Sequence, residues 1–243
     1  MTDFDRWPEG TWLLKVSGET SDLRFGAYTL EVATVHLIEI QETWYLDSPR
    51  LRASTERTAL QCALNELQVL HGLFRALGLH QVRLVGRGLV RTVLGKPPIQ
   101  YIHTVPLTST GRFGYPRFSQ EGESSGPTAQ QQAAGHHLAL IDSRPRVEAV
   151  LRVLGRDSLD WYDLYKLHEL VQLESGDPVA KGFIQRSILQ RLTQTANSAD
   201  AIGDAARHAP KFRAPTKPMS LDEAKKHVLG LVKKWLNSLD PLA

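Results

Sequence analysis

Residues 196–239, ANSADAIGDAARHAPKFRAPTKPMSLDEAKKHVLGLVKKWLNSL, decide the fold of the C-terminal half. Their last twenty positions read as one amphipathic helix. Ser220 stands at the N-cap and Glu223 three residues later, the spacing of a capping box, in which each side chain satisfies a backbone N–H of the other residue. Leu221, Ala224, Val228, Leu231, Trp235 and Leu239 then recur every three or four residues, as a buried stripe requires. Working back from this helix, residues 183–195, 157–173 and 146–154 carry the same period. Trp161, Leu164, His168 and Val171 mark the middle stripe, and Ile184, Ile188, Leu189 and Leu192 the next. Four helices of this size predict a compact antiparallel bundle over residues 137–243.

Residues 119–136 are rich in Ser, Gln and Gly and contain no aromatic or large aliphatic side chain until the helical half begins. Such a stretch cannot bury itself and predicts a flexible linker. Ahead of it, residues 1–118 mix two periods. Residues 12–16 and 43–46 predict short strands. In 27–40, Leu30, Val32, Ile38 and Ile40 share one parity, while Val35 and Leu37 break the alternation, so both faces of that strand are covered. Leu60, Leu64, Leu67, Leu70, Phe74 and Leu77 predict a long helix over 54–77, stopped by Gly78. Further strands fall at 81–85 and near 99–105. The expected fold is therefore α+β: a mixed sheet bearing one long helix, followed by an all-α domain.

Of the 243 residues, 42% are hydrophobic and 23% charged, which excludes wholesale disorder. Cys62, the one cysteine, cannot form an internal disulfide and lies among Leu60, Ala63 and Leu64, the setting of a small buried hydrophobe in a reducing compartment. The opening MTDFDRWPEG is acidic and lacks the apolar run of a secretory signal. No segment approaches the roughly 20 apolar residues of a membrane span. A cytoplasmic protein without membrane partners is expected.

The net charge is +3, yet positions 207 to 234 hold eight Lys and Arg against Asp222 and Glu223, an excess twice that of the whole chain. A cationic surface of this kind attracts an anionic partner. Nucleic acid, RNA or DNA, or an acidic partner protein is expected, with Arg207, Lys211, Arg213, Lys225, Lys226, Lys233 and Lys234 as phosphate contacts.

Signals for other chemistry are incomplete. His168-Glu169 opens HELVQ, but a zinc-protease helix needs a second His where Gln172 stands. Asp157, Asp160 and Asp163 recur every third residue, which suits either a cation or the first turn of a helix. Gly86-Arg87-Gly88 follows the strand VRLV and is expected to open a helix, but Arg91 occupies the place of the third glycine of a dinucleotide loop. Arg83, Arg87, Arg91 and Lys96 are candidates for a second basic patch. His136-His137 has no Cys or carboxylate cluster beside it. GxSxG, Walker and zinc-type cysteine motifs are absent from the sequence. No metal or cofactor is therefore expected. Arg207-His208 could hold an anion or assist attack by an RNA 2′-hydroxyl. The alternative is an Arg207 ion pair to Asp204 or Glu169, with His208 at a helix end.

The run from Trp161-Tyr162-Asp163-Leu164-Tyr165-Lys166 through Ala196-Asn197-Ser198, Gly203-Asp204 and Ala206-Arg207-His208 to Pro218-Met219-Ser220-Leu221 and Trp235 resembles the C-terminal helical domain of a group of uncharacterised bacterial proteins. In layout it is loosely similar to HEPN domains, many of which serve in antiphage and toxin systems and cleave RNA. The resemblance covers about the last 90 residues. It implies a defence-related, RNA-directed role, with Arg207 and His208 as the corresponding catalytic pair. RNase members separate their Arg and His by several residues on one helix, whereas Arg207 and His208 are adjacent. A binding or assembly role is the more natural implication. As a structural subunit, the chain would dock the Trp235 helix on another protein.

Overall fold

β1 (Trp12–Ser17) is the strand on which the sheet is assembled. In the computed structural model, which describes residues 3–79, 82–101, 126–203 and 213–239, it pairs with β3 (Thr43–Asp47) on one side and β4 (Val85–Val93) on the other. β2 (His36–Ile40) joins β3 and β5 (Lys96–Tyr101) joins β4, giving the order β2-β3-β1-β4-β5. Every pairing is antiparallel, which corrects the expected mixed sheet. Two-residue connections at 41–42 and 94–95 leave the β2–β3 and β4–β5 pairs no other direction. The first is built from Gln41 and Glu42, both at positive φ (48° and 62°), the backbone of a type I′ hairpin turn.

Three further expectations change. The strand expected over 27–40 begins only at His36, because residues 27–29 finish a helix, α1 (Thr20–Thr29), whose cap is the Leu30 N–H bonded to the Gly26 carbonyl. The strand expected at 81–85 is irregular over 82–84 and becomes β4 at Val85. Gly86-Arg87-Gly88 therefore lies inside a strand and opens no helix. The long helix starts later than residue 54. α2 (Pro49–Arg52) and a turn closed by the Thr55 N–H on Thr58 Oγ1 (3.0 Å) precede α3 (Ala59–Ala76). Gly78, at φ +86°, ends the helix as expected.

Alternation on the strands divides the sheet into two covered faces. Trp12, Leu14, Val16, Leu37, Trp44, Leu46 and Leu89 enter the main core with the helices. Leu13, Ile40, Tyr45 and Val90 point the other way and close a small cluster with Trp7, against which Phe4 packs. This is why Leu37 and Ile38 are both apolar on consecutive positions.

From residue 126 onward every regular element among the described residues is helical: α4 (Ala129–Ser143), α5 (Pro145–Leu154), α6 (Trp161–Ser175), α7 (Arg186–Ala196), α8 (Ala199–Ile202) and α9 (Leu221–Asn237). α4 occupies positions 129–136 of the expected linker, a correction. Thr128 and Gln131 form a reciprocal capping box, and Gln131 Nε2 also donates to the Tyr28 carbonyl (3.0 Å) and Glu31 (2.7 Å) at the end of α1. Residues 119–125 lie outside the described residues.

The helices after residue 126 and the sheet-bearing half share one hydrophobic core, which runs from Trp12 and Leu46 through Leu70 and Leu151 to Val228 and Trp235. α3 and α5 form the seam. Arg75, in the last turn of α3, donates from Nη1 to the carbonyls of Leu154 (2.7 Å) and Arg156 (2.6 Å), and from Nη2 to that of Asp157 (3.0 Å). A side chain from one half thus satisfies carbonyls left open where a helix of the other half ends. Trp235 is 0% exposed at the centre of this core, so the apolar stripe of α9 is spent inside the chain.

Candidate nucleic-acid interface

The buried stripe of α9 fixes the phase of its lysines. Ala224, Val228, Leu231, Val232, Trp235 and Leu236 face the core. At 100° per residue, Lys226 and Lys233 lie together on the opposite side, two turns and about 10 Å apart along the axis. Both are exposed, and neither takes part in an ion pair among the described residues. Lys225 lies about 100° away, beside the core-facing side. It is half-buried, with its Nζ 3.5 Å from Asp222. Lys234 is exposed and donates to the Gly182 carbonyl (3.3 Å). Arg213 and Lys217 are exposed in the irregular segment before Ser220. Arg207, His208 and Lys211 lie outside the described residues.

The start of α9 differs in one respect from its sequence pattern. Ser220 Oγ accepts the Glu223 N–H (3.2 Å), which is one half of the expected box. The Glu223 carboxylate turns instead to Arg191 of α7, with His227 Nε2 3.8 Å from it. Met219 N donates to Thr195 Oγ1 (3.1 Å), at the end of α7 where Asn197 is the C-cap. With Lys234 reaching Gly182 at the other end, these contacts set α7 antiparallel to α9.

That pairing brings two cations to the surface that no sequence pattern singled out, Lys181 and Arg186. Both are exposed at the end of the seam where Lys234 sits. The nearest carboxylate to Arg186 is Asp177, at 3.9 Å and itself half exposed, a weak tie. Nothing in local periodicity signals this neighbourhood, because it depends on contacts between segments 24 to 52 residues apart in sequence.

The remaining candidates are engaged in structural roles. Asp160 caps α6 by accepting the Asp163 N–H (2.8 Å), and Asp163 accepts the Asp160 N–H in return while pairing with Arg156. Asp157 holds Arg83 (2.7 Å). The three carboxylates are thus committed to capping and ion-pair contacts within the chain. Arg83, Arg87 and Arg91 also diverge: Arg87 donates to Ser17, and Arg91 lies 5.6 Å from the Trp12 ring. His168 is buried, and burial lowers its pKa. His136 bonds the Leu239 carbonyl (2.9 Å), and its ring lies 5.3 Å from that of His137. Burial, aided by the His136 charge, pushes His137 down to about 4.

Among the described residues no helix is long and apolar enough to cross a membrane. Comparison of the chain with protein-family models, curated proteins and solved structures finds no match.

Proposed function

We propose that the protein is a cytoplasmic nucleic-acid-binding protein that holds the phosphate backbone through its C-terminal cationic surface. Arg207, Lys211, Arg213, Lys225, Lys226, Lys233 and Lys234 supply the contacts, and Lys181 and Arg186, before and at the start of α7, extend them. The observation that carries this reading is the placement of Lys226 and Lys233. They share the solvent side of a helix whose other side is locked into the core, and no carboxylate among the described residues claims them. Ammonium groups in this arrangement act as point charges on phosphates and carry no base readout, so binding is general in sequence.

The test is fluorescence anisotropy of a labelled RNA and a labelled DNA oligonucleotide across a salt series. Releasing condensed counterions makes log Kobs fall linearly with log salt. Reversing charge in Lys226→Glu/Lys233→Glu is expected to weaken binding at every sequence tested and to lower the salt slope by about one for each phosphate-bound ammonium removed. Affinity indifferent to both salt and charge reversal removes this function. Binding to an acidic protein but to neither oligonucleotide assigns the surface to a protein partner instead.

A further inference from the structure

We infer that the outer face of the sheet carries a binding site for a phosphomonoester group, held between Lys15 of β1 and Arg87 of β4. The two residues stand on neighbouring inner strands of the sheet. Leu13 points away from the main core, and side chains two apart on a strand share a face, so Lys15 and Ser17 emerge on the same side. The inference uses none of the cations on α7 and α9 and stands apart from the nucleic-acid reading.

A β-bulge builds the site. Lys15 pairs with Gly88 and Val16 with Gly86, so Arg87 is the extra residue on β4. A bulge re-aims the side chain it carries. Arg87 Nε donates to Ser17 Oγ (2.5 Å), which brings the guanidinium to the face that bears Lys15. That bond engages Nε alone and leaves both Nη groups for a ligand. Gly88, opposite Lys15 at φ +138°, adopts a backbone that favours glycine and has no side chain to cover the ammonium. The Gly86-Arg87-Gly88 run, incomplete as a dinucleotide loop, thus sets an arginine beside a lysine.

These charges lack a counterion. Lys15 is half-buried on an inner strand, where an ammonium without a partner is costly. Among the described residues no ion pair involves Lys15 or Arg87. Asp47, the carboxylate on the same face of β3, is committed to Trp7 Nε1 (3.0 Å) and Arg52 Nε (3.0 Å). Lys15 and Ser17 are about 7 Å apart along the strand. The lysine stem and the Ser17-held guanidinium therefore reach one tetrahedral anion from two sides. A phosphomonoester brings close to two negative charges at neutral pH, matching the two cations, and its terminal oxygens suit the arginine fork. A phosphodiester brings only one.

The test is a titration of the full chain with methyl phosphate up to about 20 mM, followed by ¹⁵N-resolved NMR. Saturable shifts are expected at the amides of Lys15, Ser17 and Gly88. Dimethyl phosphate is expected to bind at least tenfold more weakly. Lys15→Met keeps the packed stem without the charge and is expected to cost at least tenfold. Arg87→Lys keeps the charge without the fork and is expected to cost about fivefold. Lys96→Met, an equal loss of charge at the exposed start of β5, is expected to bind as the wild type does. Adenosine monophosphate and a pair of oligonucleotides, with and without a 5′-phosphate, read the source of the group. A preference for either the free nucleotide or the phosphorylated strand end supports the site. No saturation, shifts confined to other amides, equal binding of the diester, or equal effects of Lys15→Met and Lys96→Met would each overturn the proposal.

Discussion

Gly72 of α3 lies directly against Leu151 of α5, so close that a β-carbon at position 72 would stand 1.9 Å from the Leu151 carbonyl oxygen. The contact is reciprocated one turn away, where a β-carbon on Gly155 would stand 1.8 Å from the Gln68 carbonyl oxygen. Two helices from opposite halves of the chain thus touch backbone to backbone. The obstruction in each case is main chain, which cannot rotate aside.

Gly72→Ala and Gly155→Ala are each expected to destabilise the protein by about 3 kcal/mol or more, because α5 must move off α3 and the shared core opens. Gly230→Ala is the matched control. It sits in a helix on the exposed side of α9 with open space around it, and alanine there is expected to stabilise by about 0.5–1 kcal/mol. Urea unfolding of the three variants reads the contrast, and equal effects at all three positions would contradict the seam. One transition by both fluorescence and circular dichroism is expected of the wild type, since the core is continuous.

Arg75 joins the same two helices through three carbonyls at and beyond the end of α5. Arg75→Ala leaves those acceptors without the donor and removes a cation from a helix C-terminus, with an expected loss of about 1–3 kcal/mol. Arg75→Lys recovers little, since a single ammonium cannot span three carbonyls as a planar fork does. Thermal unfolding of both variants at neutral pH checks the order Arg > Lys ≥ Ala.

What the chain discloses to a reader of its sequence follows from the range of the forces involved. Gly78 and Ser220 act on their own neighbours, so the end of α3 and the start of α9 were legible, as was the outward phase of Lys226 and Lys233. α4 was hidden by composition: Ala and Gln between Gly126 and Gly135 resemble a linker. The Thr128-x-x-Gln131 capping pattern was nonetheless there to be read. Glu223 looked like half of a box and instead reached Arg191, a partner that local spacing cannot supply. Lys181 and Arg186 joined the cationic surface for the same long-range reason. The Gly72–Leu151 contact left no sequence mark beyond a glycine inside a helix.

The hairpin between β2 and β3 stores local strain. Glu42 holds φ +62° without the freedom of glycine, while Gln41 is at least tied to Asp3 through its side-chain amide (3.2 Å). Glu42→Gly leaves that hydrogen bond in place and relieves the left-handed backbone, with an expected gain of about 1 kcal/mol in unfolding free energy. Urea denaturation measures it, and a decrease on this substitution would show that the Glu42 side chain makes a contribution larger than the strain.

Acid should weaken the fold through its buried histidines. His71 Nε2 accepts the Leu84 N–H (3.1 Å), a bond available only while that nitrogen is unprotonated. Burial, reinforced by the Arg83 charge, holds His71 at about 4, and His137 is likewise held at about 4. Unfolded, each returns to the ordinary histidine value of 6.5. Between pH 6.5 and 4 the unfolded chain therefore binds protons that the folded chain refuses. Stability is complete above 6.5 and falls as pH drops toward 4, by up to about 3 kcal/mol for each histidine. Glu66 acts with the opposite sign. Burial raises its pKa despite the nearby Arg50, so its contribution is full below 4.5 and declines as pH rises. The wild-type slope sums these with His168, whose pKa burial also lowers, and a variant separates them. His71→Gln keeps an acceptor near the Leu84 N–H but cannot titrate. Its unfolding free energy, followed by urea denaturation from pH 7 to 4, is expected to fall less steeply than that of the wild type. Parallel curves would mean that His71 takes up its proton equally in both states.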